Sequence, residues 1–198
     1  PGILTMTVLF QSVFYGLYIV WDRKIDFLKE VLAAPLNRST VFLGKCLGGV
    51  TDSMIQVTII IVLGFFIFPD LEYTLQSLML VYLYLFLLAV IMTSLGLIIG
   101  SRMDSPEGFS LITSLVVFPM YFLSGALFLK KNLIDEAPLI YWITAINPAS
   151  YAVDAIRYTL IPEDIFLEYG LSRDLAVLIG FCVFLLALGT QSFKTMKL

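Results

Sequence analysis

Few side chains in this sequence could do chemistry, and their placement narrows what that chemistry is. Arg23, Lys24, Asp26, Lys29 and Glu30 are crowded, with Phe27 among them, into the charged segment WDRKIDFLKEVLAAPLNRSTVFLGK between two apolar runs. Asp52 stands near one end of the second run, and Asp154 and Arg157 stand three apart in NPASYAVDAIRYTLI. There is no histidine, and no lysine falls inside an apolar run. A Ser-His or Ser-Lys nucleophile is therefore not available, and neither is a histidine-bearing metal site. Cys46 and Cys182 lie far apart in apolar runs, so no disulfide framework or metal cluster is indicated. Covalent catalysis and hydrolysis fit poorly. What remains is the chemistry of charge at and within a membrane. An acid inside a span is costly unless it faces protein or water, and a charged helix between two spans touches something outside the lipid.

The elements that must position these residues follow from composition. With 60% hydrophobic residues, 14% charged and a mean hydropathy of +0.96, a chain of 198 residues has too little polar surface to cover a soluble globule. It reads as an all-α, polytopic membrane helix bundle. A net charge of -3 and a pI near 4.8 give no support for a nucleic-acid partner. No internal repeat or low-complexity segment appears, so residues 1–198 are expected to form a single membrane domain.

About five spans are visible. The apolar runs are Ile3 to Val20, Cys46 to Phe68, Gln76 to Gly100, Gly108 to Leu129 and Leu175 to Phe193, each near the length that crosses about 30 Å of hydrocarbon at 1.5 Å per residue. In the first, Thr7, Gln11, Tyr15 and Tyr18 recur at helical spacing and share a face poorly suited to lipid tails. With Asp52 they are candidate lining for a substrate path; packing against other helices is the competing use. Pro119 predicts a kink in the fourth run. In the charged segment, Ile25, Phe27, Leu28, Val31 and Leu32 fall within about 160° of a helical wheel and Asp26, Lys29 and Glu30 fall opposite, which predicts a short interfacial helix. Pro35 should end it, and Asn37 and Ser39 offer caps for the next helix.

Orientation follows from the basic residues. One set of alternate loops and the tail hold Arg23, Lys24, Lys29, Arg38, Lys45, Arg102, Lys194 and Lys197; the other holds Lys130, Lys131, Arg157 and Arg173. The richer set belongs in the cytoplasm, which places the visible N-terminus outside and the C-terminus in the cytoplasm of a cell-membrane protein. On the outer side, NPASYAVDAIRYTLI is too apolar for a loop and too short to span, and it reads as a surface or re-entrant helix started by Asn147 and Pro148. Its Asn147, Pro148, Tyr151, Asp154 and Arg157 are candidates for an external gate. Tyr141 and Trp142 just before it are placed as interfacial anchors.

The order PGI, then WDR with an amphipathic helix ending in AAPLNRS, then GK and a glycine-rich span entry, then FPMYFLSGALF, then NPASYAVDAIR, resembles the type-2 ABC exporter permeases. Within them it is most similar to the daunorubicin-resistance and lipo-oligosaccharide export branch. The resemblance covers essentially the whole chain. It implies an ATP-driven exporter built from two permeases and two ATP-binding subunits, carrying an amphipathic drug, a lipid-linked sugar or a similar molecule. It also implies that the segment matching Lys24 to Ala34, with Arg23, Lys24, Asp26, Phe27, Lys29 and Glu30 as its contacts, is the coupling helix that docks on the ATPase. The family's six spans further imply that one span and a cytoplasmic helix precede Pro1. The residues agree on one point: no G-x-x-x-x-G-K-[ST] loop is present, since Gly44 and Lys45 lack both the upstream glycine and the following hydroxyl. ATP and Mg are thus expected on a partner chain, with no cofactor bound by this one. The competing classes are an ion-coupled secondary transporter, for which Asp52 alone supplies too little at midplane, and a non-transporting structural or assembly protein.

Overall fold

The computed structural model describes residues 1–33, 37–68, 73–127, 138–161 and 170–196, and the elements among them are helices. In chain order these are α1 (Gly2–Phe14), α2 (Leu17–Lys24), α3 (Phe27–Ala33), α4 (Arg38–Ile67), α5 (Leu75–Gly100), α6 (Pro106–Phe122), α7 (Pro138–Ile146), α8 (Pro148–Leu160) and α9 (Leu171–Lys194). The chain is a polytopic helical membrane bundle. Among the described residues, four helices are long and apolar enough to cross a bilayer: Gly2–Lys24 taken through the break between α1 and α2, then α4, α5 and α9.

α5 is the axis of the bundle. It is apolar on all sides, and Leu85, Leu88, Ile91, Met92 and Leu97 are fully buried against α1, α4, α8 and α9. The helices around it keep one face outward. On α4, Leu47, Ile55, Ile59 and Phe66 are exposed while Val50, Ser53 and Val57 are buried, which is the division expected of a helix with protein on one side and lipid on the other.

The tightest packing is made where side chains are missing. At the break after α1, Gly16 lies directly on the main chain of Gly96, Gly96 lies on the Val13 carbonyl, and Gly100 lies on the Gly16 carbonyl. A methyl group at any of these would overlap backbone. Small residues of this kind allow close helix approach in lipid, where burial of apolar surface supplies no drive. The break is local: Gly16 N–H donates to the Val13 carbonyl and Ile19 N–H to the Gly16 carbonyl, both at 3.1 Å and both closing three-residue turns.

Helix ends follow their sequence signals in part. Ser105 accepts from Gly108 N–H at 3.1 Å with Pro106 in the first turn of α6, Thr74 accepts from Ser77 N–H at 3.1 Å, and Asn147 accepts from Ala149 N–H at 3.0 Å with Pro148 in the first turn of α8. Asn37 is the N-cap of α4, but its side chain makes no cap bond; the residue's carbonyl takes Thr40 N–H at 2.9 Å instead. At 30 residues, about 45 Å, α4 exceeds the hydrocarbon thickness, so its first two turns, Arg38 to Lys45, stand in the interfacial zone.

Three expectations need correction. The apolar run beginning at Gly108 does not stay helical to Leu129: α6 stops at Phe122, three residues past Pro119, and the chain turns through Gly125 at φ 79. At 17 residues, about 25 Å, α6 is not among the helices long enough to cross a bilayer, so the described residues give four such helices where the apolar runs suggest about five. The interfacial helix starts at Phe27, not at Lys24. Lys24 ends α2, Ile25 caps it, and Asp26 at φ 59 breaks the helical phase, so Ile25 is 68% exposed and does not join the apolar face with Leu28. α7 was not anticipated inside the polar stretch between the fourth and fifth runs. The stop at Pro35 and Lys130, Lys131 and Lys197 lie outside the described residues.

Candidate functional site

At the end of the bundle where α3 leaves it, helix termini are held by cations from other helices. Arg23, at the end of α2, donates from Nη2 to the Ser101 carbonyl at 2.9 Å and from Nη1 to the Met103 carbonyl and Asp104 Oδ1, both at 3.2 Å. Ser101 is the C-cap of α5, so the guanidinium sits where the helix dipole is negative. Asp104 is 94% exposed, which makes the ion pair a minor part of this contact beside the two carbonyls. Lys24 lies 5.5 Å from the Trp21 ring centroid, and Lys45 on α4 pairs with Asp22 on α2.

α3 itself is held by Leu28, which is fully buried, whereas Phe27 is 44% exposed and Glu30 is exposed. A short helix anchored through Leu28, with Phe27 and Glu30 outward, is suited to contact another surface. Asp26 forms the bend before it and Lys29 falls in its middle.

Of the candidate path residues, Tyr15 and Asp52 meet at the seam between α1 and α4. Tyr15, half-buried, packs its ring edge-on to Tyr18 at 5.0 Å between centroids, and it fits because Gly48 and Gly49 leave room: a methyl at Gly49 would lie 2.8 Å from the ring. Asp52, half-buried one turn further along α4, is within electrostatic reach of the Tyr15 hydroxyl. Gln11 is half-buried, and Thr7 turns its hydroxyl back to the Ile3 carbonyl at 3.0 Å. Tyr15 and Asp52 are thus brought together, with Thr7 and Gln11 on successive turns toward the opposite end. The seam is closed at its centre by Ser12 and Ser53, whose hydroxyls are 2.7 Å apart and buried.

At that opposite end α8 is buried along nearly its whole length, packed against α5, α9 and α1. It is therefore an inserted helix, not one lying on the surface. Asn147, Ser150 and Arg157 meet the end of α6. Asn147 Nδ2 donates to the Met120 carbonyl at 2.6 Å, Ser150 Oγ to the Leu123 carbonyl at 3.5 Å, and Arg157 Nη2 to the Gly125 carbonyl at 2.6 Å. Carbonyls left over where α6 stops are satisfied by side chains of α8. Tyr151 Oη donates to the Ala145 carbonyl at 2.5 Å, fixing α8 to α7, and Asp154 is buried. Trp142 on α7 is 67% exposed, and between α7 and α6 an apolar groove is lined by Pro119, Leu123, Ile143 and Ile146.

Residues 1–161 match the family model described as ABC-2 type transporter. The chain belongs to the ABC-2 type transporter family. A "putative transport permease ycf38" of Cyanophora paradoxa is 30% identical over 165 residues, covering 80% of this chain and 53% of the relative. Its counterpart in Porphyra purpurea is 28% identical over 158 residues, 79% of this chain and 53% of the relative. The "inner membrane transport permease YadH" of Escherichia coli K12 is 26% identical over 164 residues, 80% of this chain and 60% of the relative. The chain spans between half and three-fifths of the length of these relatives. Their names state transport and, for one, the inner membrane, but no substrate.

Within this ABC-2 chain, several contacts at the α3 end escaped a reading by motif. Asp22 and Lys45 are 23 residues apart, and Arg38, Arg102, Ser192 and Thr195 gave no local signal. What could have found them is that all but Arg38 lie within two residues of a predicted span end, where a long basic side chain reaches a neighbouring helix terminus.

Proposed function

We propose that this chain is the membrane permease subunit of an ATP-driven exporter, working with a separate ATP-binding subunit and a second copy of the permease. ATP and Mg would be bound and hydrolysed on the partner; no step of that chemistry is assigned to this chain. The observation that carries the reading is α3: a short helix between two spanning helices, anchored by Leu28, with Phe27 and Glu30 outward, in a chain of the ABC-2 family. It supports α3 as the contact to the ATPase. The meeting of Tyr15 and Asp52, with Thr7 and Gln11 on successive turns of α1, supports a path for an amphipathic molecule, such as a drug or lipid-linked sugar of the kind carried by the drug-resistance and lipo-oligosaccharide branch. α8, with Asn147, Pro148, Tyr151, Asp154 and Arg157, would gate its outer exit.

Reversing charge at Asp26 and Glu30 together tests the coupling assignment. Hydrolysis by the full complex in lipid should continue while export falls by about tenfold or more, a loss of roughly 1.4 kcal/mol or more of coupling, with insertion unchanged. Because Asp26 is left-handed, Asp26→Gly is the control that removes charge without backbone strain. Normal export by the double reversal would remove α3 from the mechanism.

The orientation is tested separately. The α3 end is assigned to the cytoplasm and the α8 end to the outside. A cysteine replacing Asp104 should react with a membrane-impermeant thiol reagent only after the membrane is opened, and one replacing Trp142 should react from outside; the native Cys46 and Cys182 are buried. The reverse pattern would put α3 on the wrong side for an ATPase.

A further inference from the structure

The cation contacts at the α3 end form a closed circuit. Arg23 joins α2 to the end of α5 through the Ser101 and Met103 carbonyls. The end of α5 is joined to the end of α9 by Ser101 Oγ and Ser192 Oγ at 2.8 Å and by Arg102, which reaches Ser192 Oγ at 3.4 Å and Thr195 Oγ1 at 3.1 Å. The chain just past α9 is joined to the start of α4 by Arg38 Nη1, 2.7 Å from the Met196 carbonyl. α4 is joined back to α2 by Lys45 and Asp22. Each helix end is thereby tied to two others.

We propose that this circuit makes the ends of α2, α4, α5 and α9 move as one plate, and that Arg23 is the positioning residue through which a displacement of α3 enters it. The inference rests on α3 being the ATPase contact. Two physical features support it. Arg23 precedes the bend at Ile25 and Asp26 by two residues, so a load on α3 arrives at α2 beside this guanidinium. Its principal partners are main-chain carbonyls at the end of α5, which cannot rotate away as a side chain can. Without the fork, α2 would keep its tie to α4 through Lys45 and Asp22 but lose its hydrogen bonds to the end of α5, so motion of α3 would reach that end only indirectly.

The proposal separates Arg23 from a salt bridge. If Asp104 mattered, Asp104→Asn would weaken the link; if the carbonyls matter, only the guanidinium is needed. In the full complex in lipid, with Cys46 and Cys182 replaced by alanine, spin labels at Val31, which is on α3 but not among its assigned ATPase contacts, and at Glu107 report the distance between α3 and the start of α6. A single narrow distribution is expected for the parent and for Asp104→Asn. Arg23→Gln should broaden it, and Arg23→Lys, which keeps charge but not the fork, should fall between. ATP hydrolysed per molecule exported should rise by about fivefold or more in Arg23→Gln at equal abundance, within the range of coupling factors. Unchanged distances or an unchanged ratio in Arg23→Gln would overturn the proposal. If reversal at Asp26 and Glu30 uncouples while Arg23→Gln does not, only the circuit fails; if neither uncouples, the reading of α3 fails with it.

Discussion

Gly96→Leu is expected to abolish the folded protein. At this position the space for a side chain is already occupied by the carbonyl and α-carbon of Val13; Gly16, on the facing segment, lies on Gly96 itself, and Gly100, one turn further along α5, lies on the Gly16 carbonyl. Overpacking against side chains costs about 1–3 kcal/mol, because neighbours rotate away. Here the neighbour is main chain at the break between α1 and α2, so relief requires separating α1 from α5, which carries much of the buried core. A loss beyond that range equals much of the stability of an ordinary domain, about 5–15 kcal/mol. Fluorescence-detected size exclusion after mild detergent extraction should show loss of the monodisperse peak. Gly44→Leu, where no atom lies within 4 Å, should retain it. A normal peak from Gly96→Leu would mean that α1 and α5 do not cross as closely as described.

The contrast between those two glycines shows what the sequence carried. Span positions were legible because a run of about 20 apolar residues has few alternatives to a membrane helix: α5 and α9 cover their runs, and α4 covers all of its run but Phe68, its C-cap. α8 was legible from Asn147 and Pro148 together with its apolar content; its burial between α5 and α9 was not, because composition cannot tell a helix lying in the interface from one inserted into the bundle. Which glycine is structural depends on the helix opposite. Gly44 and Gly96 both sit in long helices, and only the crossing distinguishes them. The phase error at α3 has a similar cause: a wheel drawn from Ile25 assumes unbroken helix, and the left-handed dihedral at Asp26 is a single-residue event that propensity marks weakly, since aspartate is merely tolerated there.

The candidate site was legible unevenly for the same reason. Tyr15 and Asp52 were singled out as polar residues in separate spans, and the structure brings them together because Gly48 and Gly49 admit the tyrosine ring. The family resemblance counts Arg23 among the contacts to the ATPase, yet its side chain turns inward to α5. Long cationic side chains near a helix end have two outlets, solvent and a neighbour's carbonyls, and only the tertiary arrangement chooses.

Arg157→Ala is expected to lower export by about tenfold, equivalent to about 1.4 kcal/mol, while leaving abundance within about twofold. The geometry gives two opposing effects. Removing the guanidinium leaves the Gly125 carbonyl without its donor in a half-buried setting, and a hydrogen bond to a charged group contributes about 1.5–3 kcal/mol. That would weaken the attachment of α8 to the end of α6. The attachment has two further points, Asn147 on Met120 and Ser150 on Leu123, and α8 remains buried against α5 and α9. The helix should therefore stay in the bundle but lose the contact furthest along its length, next to the turn at Gly125. If α8 works as an outer gate, that loosened contact affects passage of substrate more than folding, so export per mole of protein falls and ATP hydrolysis by the complex persists. If α8 only seals the fold, abundance and export fall together and their ratio stays constant. Arg157→Lys separates charge from reach: it should restore abundance in the second case and recover little export in the first, because a lysine cannot reproduce the guanidinium's geometry on the Gly125 carbonyl. Quantifying export, hydrolysis and membrane abundance in the same preparations decides between them, and a constant ratio of export to abundance across both variants would remove the gate.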